Sequence, residues 1–241
     1  MITKADLFDE IVTFRRSVRI YDAHDFDSNA VSKSLKKALL APSSSNMQLW
    51  EFYRIVTPQK KQQLAAYCLN QNTATTAQEL IVVVARPDLW KTRAAFNYEQ
   101  IKQHLPNKTS LNGLSALNYY NKLIPQLYYN DAFGVFGFYK QITQFFKGLI
   151  KPVFREVTAT DIRITVHKSA ALAAQTFMLS MAAEEHDTCP MEGFDSKRVK
   201  KMLHLPQKAE INMIISCGKR KPTGVYGPRI RISENEVIFN L

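Results

Sequence analysis

The amino-acid sequence predicts an α+β domain with a mixed sheet. Two apolar runs supply the strands: Leu80-Ile81-Val82-Val83-Val84-Ala85, and Ala209 to Cys217 with Ile211, Met213 and Ile215. Helical periodicity surrounds both runs without a regular strand–helix–strand rhythm, which argues against a doubly wound parallel sheet. The first run has no polar position at all, so it suits a strand covered on both faces.

The remaining elements follow in order. A first helix is predicted from about Ala5 to Phe14, where Thr3-Lys4-Ala5-Asp6 has capping-box spacing and Leu7, Phe8, Ile11 and Val12 recur at helical intervals. Arg15 to Tyr21 reads as extended. A second helix starts after Ser28, a good N-cap, and places Val31, Leu35, Ala38 and Leu39 on one face. It stops before Pro42, because the residue preceding a proline is pushed out of the helical region. Glu51 to Val56 alternates as a strand, and Pro58 opens a third helix to about Leu69. His167 to Glu185 is an Ala-rich helix carrying Leu172, Phe177, Met178 and Met181, and another helix starts at Asp195. Trp90 to Phe154 is helical, aromatic and sparsely punctuated. With no repeat, low-complexity tract or linker, residues 1–241 are expected to form a single domain.

The composition bounds the partners. At 241 residues and 46% hydrophobic, the chain has enough apolar material for a core. Its 32 Lys+Arg against 21 Asp+Glu leave a net charge of +11, which favours anionic partners. The cations are spread along the chain, as they would be on a generally basic surface. Lys197-Arg198-Val199-Lys200-Lys201 and Lys219-Arg220-Lys221 cluster, but without the interleaved aromatic residues of a single-strand platform, so no specific nucleic-acid partner is expected. No apolar window approaches about 18 residues, which predicts no membrane span, and the N-terminus lacks a signal-peptide layout. Cys68, Cys189 and Cys217 are odd in number and have no metal-type spacing, which fits reduced thiols in a cytoplasmic protein and no metal.

Four segments could bind an anion or a planar group. In an extended Arg15 to Arg19, side chains alternate, so Arg15, Ser17 and Arg19 share a face while Arg16 and Val18 point away. Two guanidiniums flanking a hydroxyl make a phosphate receptor; a solvated basic stretch beyond a helix end reads the same way. Arg229 and Arg231 repeat the geometry, and a charged, aggregation-resistant edge is their plainer role. Ser43 to Asn46 offers backbone N–H groups and short hydroxyls, as any helix-terminating turn does. In Pro190-Met191-Glu192-Gly193-Phe194, the glycine allows close backbone approach to a flat ring, although glycine also punctuates ordinary turns. The histidines His167, His186 and His204 read as surface or helix-end residues. No Walker loop or GxGxxG fingerprint is present.

Taken in order, Arg15-Arg16-Ser17-Val18-Arg19, Ala41-Pro42-Ser43-Ser44-Ser45-Asn46-Met47-Gln48-Leu49-Trp50, Cys189-Pro190-Met191-Glu192-Gly193-Phe194 and Gly227-Pro228-Arg229-Ile230-Arg231 resemble the FMN-dependent nitroreductase family. The resemblance runs from about Asp6 to about Arg231. It implies a central, mainly antiparallel sheet flanked by helices in an interlocked homodimer, with the tail from Arg231 to Leu241 reaching across. It implies FMN whose phosphate meets Arg15, Ser17, Arg19, Arg229 and Arg231, with Arg16 also among the cofactor-binding residues. Ser43, Ser44, Asn46 and Gln48 would line the flavin and the partner-subunit side of the pocket. Asn70 would meet its pyrimidine edge, Pro190 and Met191 would cover one face, and the backbone of Glu192 and Gly193 would lie near N5. Leu49 stands where the family usually has proline, and Thr73 where it has a lysine; Asn72 replaces Asn70 if the register slips by two.

No catalytic side chain is implied. NAD(P)H would deliver hydride to flavin N5, and a flat oxidant such as a nitroaromatic or quinone would then take the electrons at the same place, by a ping-pong mechanism. The same resemblance admits a flavin-dependent dehydrogenase, a dehalogenase, an enzyme that consumes reduced flavin, or a flavin protein without turnover. A non-catalytic polyanion-binding module is the reading from another class. In the variable region 90–154, Tyr119-Tyr120, Tyr128-Tyr129 and Phe133 to Tyr139 are expected to be core. The alternative is attachment to a membrane surface, because Lys140, Lys147 and Lys151 flank Phe145-Phe146 and Leu149-Ile150.

Overall fold

A computed structural model describes residues 2–104, 111–131 and 133–241. Its sheet has five strands: β1 (Tyr21–Asp22), β2 (Trp50–Ile55), β3 (Glu79–Ala85), β4 (Asp187–Met191) and β5 (Glu210–Arg220). The order is β1-β5-β3-β2, with β4 also paired to β5. Every ladder is antiparallel. The one parallel pairing among the described residues is an isolated bridge between Ser17 and Thr188.

β3 is buried along its whole length, as its composition predicts. Leu80, Val82 and Val84 face one layer, formed with Leu64 and Ala65 of α3 (Pro58–Tyr67) and Val199 of α10 (Ser196–Met202). Ile81 and Val83 face the other, formed by α2 (Ser28–Ala38) and α9 (Ala159–Ala183). Ala170, Ala173 and Ala174 of α9 are fully buried there, and their small side chains let the helix lie close to the sheet. Gly218 of β5 is needed because a Cβ would sit 2.5 Å from Cδ1 of Tyr21.

Several boundaries differ from expectation. α9 begins at Ala159, ahead of the predicted His167, because Thr158 and Asp161 form a capping box. The N-cap of α2 is Asp27, whose Oδ1 accepts from Asn29 N at 2.8 Å, and Ser28 is the first helical residue. A strand forms at β4 despite Pro190. The short α4 (Asn72–Thr75) also had no counterpart in the sequence reading. α1 (Lys4–Phe14) has the expected capping box, Thr3 with Asp6, yet none of its side chains is buried. Leu7 and Phe8 are about half exposed, and so are Ile238 and Val237 of the tail.

The variable region forms α5 (Trp90–His104), α6 (Leu111–Asn118), a π-helical turn at Tyr119–Leu123, α7 (Ile124–Tyr128) and α8 (Val135–Gly148). Residues 105–110 and 132 of that prediction lie outside the described residues. Ile124 and Tyr128 are buried with Met47, Leu49 and Ala85, and Tyr119 and Tyr120 pack against them. Core is therefore right for these tyrosines. It is wrong for Tyr129, Phe133, Val135, Phe136, Phe138 and Tyr139, which are exposed. Among the described residues, no helix is long and apolar enough to cross a membrane.

Candidate functional site

The extended segment after α1 is held by an ion pair whose carboxylate is buried. Asp187 of β4 accepts from Arg220 N and Arg220 Nε, each at 2.8 Å, and Arg220 Nη2 also donates to Phe14 O at 2.9 Å. The guanidinium lies over the Phe14 ring, 4.4 Å from its centroid. These contacts fix the end of α1 against the sheet. Val18 N then donates to Thr188 O at 3.3 Å, and Arg19 N to Gly224 O at 2.6 Å. Val18 is fully buried, which turns the alternate residues Arg15, Ser17 and Arg19 outward.

A cleft of about 480 Å³ results, lined by Arg15, Arg16, Ser17, Arg19, Arg229 and Arg231, among others. Arg16 Nη2 donates to Gly227 O at 2.9 Å and so ties the C-terminal segment to the N-terminal one. Arg229 Nη2 donates to Thr13 O at 2.9 Å and to Arg15 O at 2.8 Å, capping the carbonyl end of α1. The helix-end role open to Arg15 on sequence therefore falls to Arg229. Among the described residues, none of these five arginines has a carboxylate within 4.0 Å. Arg15 has a lowered pKa, from partial burial first and then from Arg229 and Arg231. Such crowding of like charges is relieved by an anion.

The bridge at Ser17 brings this cleft to β4. Cys189 is buried there; burial pushes its thiol up, opposed by Arg19, by hydrogen bonding from Ser17, and by Arg15. Met191 belongs to the core, so its side chain is not free to cover a ring as expected, and only its backbone is available. Pro190 is part-buried, and Glu192 and Gly193 are exposed. A Cβ at Gly193 would meet only Gln71 Nε2, at 3.8 Å. Its φ is not in the left-handed region either. Neither crowding nor conformation within the chain calls for glycine at 193, which leaves room for a ligand.

Asn70 is exposed in a left-handed turn with Leu69, φ 50° and 59°. Sequence reasoning missed its neighbour Gln71, whose Nε2 donates to Gly193 O at 3.0 Å and so links this turn to the Gly193 loop. Thr73 is buried, and hydrogen bonding from it also reaches the Cys189 thiol. Spacing gives no hint of either contact. His186 stands at the end of α9, one of its two expected placements, and is buried there; its Nε2 accepts from Asp27 N at 3.0 Å.

The Ser43–Gln48 loop lies elsewhere. It leads into Trp50, which pairs with Ala85, which pairs with Glu210; Ser17 bridges Thr188, which pairs with Cys217. From Glu210 to Cys217 is about 23 Å of strand at about 3.3 Å per residue. Ser45, Asn46 and Gln48 all have φ near 50°. Gln48 N donates to Ser43 Oγ at 3.0 Å, and Ser44 N to Ser169 Oγ at 3.2 Å. From the variable region, Asn97 Nδ2 donates to Asn46 O at 2.8 Å and Tyr120 OH to Ser45 O at 2.9 Å, while Tyr119 OH lies 2.6 Å from Ser45 Oγ. One chain thus brings the arginines, Asn70 and the Gly193 loop together, but not Ser43, Ser44, Asn46 and Gln48.

The nitroreductase family model matches residues 12–219, which span the sheet to within one residue of the end of β5 and take in the N-terminal side of the arginine cleft. This chain belongs to the nitroreductase family. DrgA of Synechocystis sp. is 30% identical over 89% of this chain and 84% of its own. MhqN of Bacillus subtilis, provisionally named an NAD(P)H nitroreductase, is 26% identical over 92% of this chain and 95% of its own. The solved structure of a provisionally assigned nitroreductase from Exiguobacterium sibiricum, in complex with FMN, superposes with a TM-score of 0.68 at 23% identity, covering 97% of each chain. The nitroreductase fold of this family member is therefore shared beyond the motifs alone.

Proposed function

We propose that residues 1–241 form one flavin-binding unit of an FMN-dependent oxidoreductase that draws its electrons from NAD(P)H. The observation that carries this reading is the cleft of arginines without carboxylate partners, joined through Ser17 and Thr188 to the open Gly193 loop. The donor set fits the group. Guanidiniums match phosphate oxygens bidentately, and a residue with spare volume on an exposed loop admits a flat ring.

Arg15, Ser17, Arg19, Arg229 and Arg231 hold the phosphate, with Arg16 bracing the cleft through Gly227. Asn70 and the backbone of Pro190 to Gly193 border the ring, and Gln71 fixes their spacing. When bound, FMN supplies two-electron chemistry at N5, between NAD(P)H and a flat oxidant such as a nitroaromatic or quinone, in ping-pong order. No side chain of the site serves as a nucleophile. The positive field of the arginines favours the anionic form of a reduced cofactor.

A second copy completes the site. The separation of about 23 Å along β5 leaves the Ser43–Gln48 loop free to serve the other subunit's flavin. The exposed apolar side chains of α1 and the tail, Leu7, Phe8, Ile238 and Phe239 among them, supply surface for an interlocked homodimer. The buried cysteines suit a cytoplasmic setting. Steady-state rates with NADH and menadione varied together test the order: parallel double-reciprocal lines support it, and intersecting lines reject it. Sedimentation equilibrium of the loaded protein tests the dimer, and a monomer would reject it.

A further inference from the structure

Helix α8 is an amphipathic helix mounted with its apolar side outward. Val135, Phe138, Ile142, Phe145, Phe146 and Leu149 recur three and four apart, so they share one face. All six are exposed, from 41% at Ile142 to 69% at Leu149. The single buried residue of its 14 is Gly137, which abuts Asn130 and Thr158. Lys140, on the same inward side, donates to Leu127 O at 3.1 Å and to Tyr129 O at 3.0 Å. A surface helix of a globular domain ordinarily does the reverse, packing its apolar stripe inward. Six large apolar side chains exposed along one stripe mark an interaction surface.

The charge around the stripe identifies the partner. From residue 132 to residue 155 there is no Asp or Glu, while Lys140, Lys147, Lys151 and Arg155 are all basic. Lys147 and Lys151 are exposed. Arg155 folds over the C-terminal turn, where a Cβ on Gly148 would meet its Nη2 at 2.5 Å. Two copies of this face pressed together would oppose like charges with no acid between them. A nucleic acid would leave Ile142 and Leu149 without a partner. We propose that α8 docks this protein onto an anionic phospholipid surface, with the apolar stripe entering the interface and Lys147 and Lys151 meeting headgroups.

Co-sedimentation of the purified, FMN-loaded full chain with vesicles tests the proposal. Vesicles of phosphatidylcholine with phosphatidylglycerol should bind about 30-fold more strongly than phosphatidylcholine alone, the contribution expected from two lysines near the surface. The K147E/K151E variant should lose that preference, and F145S/F146S should lose binding to both. All four positions are exposed, so both variants should keep the wild-type thermal midpoint and NADH oxidation. As a measurement independent of lost binding, F146W should blue-shift its emission on vesicle addition and be quenched by brominated lipid. Equal wild-type binding to the two vesicles, or an unshifted F146W emission, would overturn the proposal. So would association of the wild type beyond a dimer that F145S/F146S abolishes, which would make the face a protein–protein contact.

Discussion

Asp187 and Arg220 form the joint on which the candidate site is assembled. The Asp187 side chain is 2% exposed and takes both the backbone N–H and the guanidinium of Arg220. The same guanidinium reaches the last carbonyl of α1 at Phe14. Removing Arg220 would leave the Asp187 carboxylate buried and uncompensated, which costs about 3–5 kcal/mol; removing Asp187 leaves a guanidinium that is 31% exposed and so costs less. Asp187→Ala should lower the unfolding free energy measured in urea by less than that amount and loosen the Arg15–Arg19 segment, seen as faster amide exchange at Val18 and Arg19.

The arginine cleft predicts a specific loss of cofactor. Each charge-assisted contact contributes about 1.5–3 kcal/mol, so Arg15→Ala or Arg231→Ala should weaken FMN about 10- to 150-fold by fluorescence titration. Wild-type affinity should also fall with salt. Arg229→Ala should in addition destabilise the fold, because its guanidinium caps α1.

Gly193→Val separates folding from binding. The added side chain meets little within the chain, so the thermal midpoint should stay near wild type while FMN retention collapses. Retained flavin in this variant would place the ring away from Gly193.

The three thiols set an alkaline limit on stability. Burial pushes Cys68 up to about 11 from an ordinary 9.0, and burial raises Cys189 and Cys217 as well. Because the folded pKa is the higher one, the stabilisation is complete below the ordinary thiol pKa and is lost as pH rises through the window up to the folded value. Urea unfolding across that window should show a falling midpoint, and Cys68→Ala should shallow the decline. In native protein at neutral pH, all three thiols should react slowly with a disulfide reagent.

Tyr119 and Tyr120 should act on the Ser43–Gln48 loop together. Consecutive residues of a regular helix diverge by about 100°, but here a π-helical turn begins at the pair and both hydroxyls reach Ser45. Tyr119→Phe with Tyr120→Phe should cost about 1–3 kcal/mol and raise KM for the oxidant more than it changes FMN affinity.

Where local chemistry decides an element, the sequence was sufficient. The apolar β3 run, the Thr3–Asp6 cap and the alternation of Arg15, Ser17 and Arg19 about buried Val18 all read directly. β4 was missed because Pro190 argues against a strand, and only pairing with β5 overrides that preference. The start of α9 was missed although Thr158-Ala159-Thr160-Asp161 carries a capping signal in plain view. Met191 loses its expected role, and Gln71 gains one that spacing does not suggest, for a tertiary reason: the strand turns one into the core, and a left-handed turn aims the other at Gly193. The outward face of α8 was legible as an amphipathic pattern, but its direction was not, since periodicity gives a stripe without saying which way it points.

The most direct test of the central claim is the visible spectrum of the purified protein, before and after anaerobic addition of NADH or NADPH. The account predicts oxidised-flavin bands near about 370 and 450 nm that bleach on addition, as expected for a protein whose cofactor carries the redox chemistry. Colourless protein that cannot be reconstituted with FMN would contradict it.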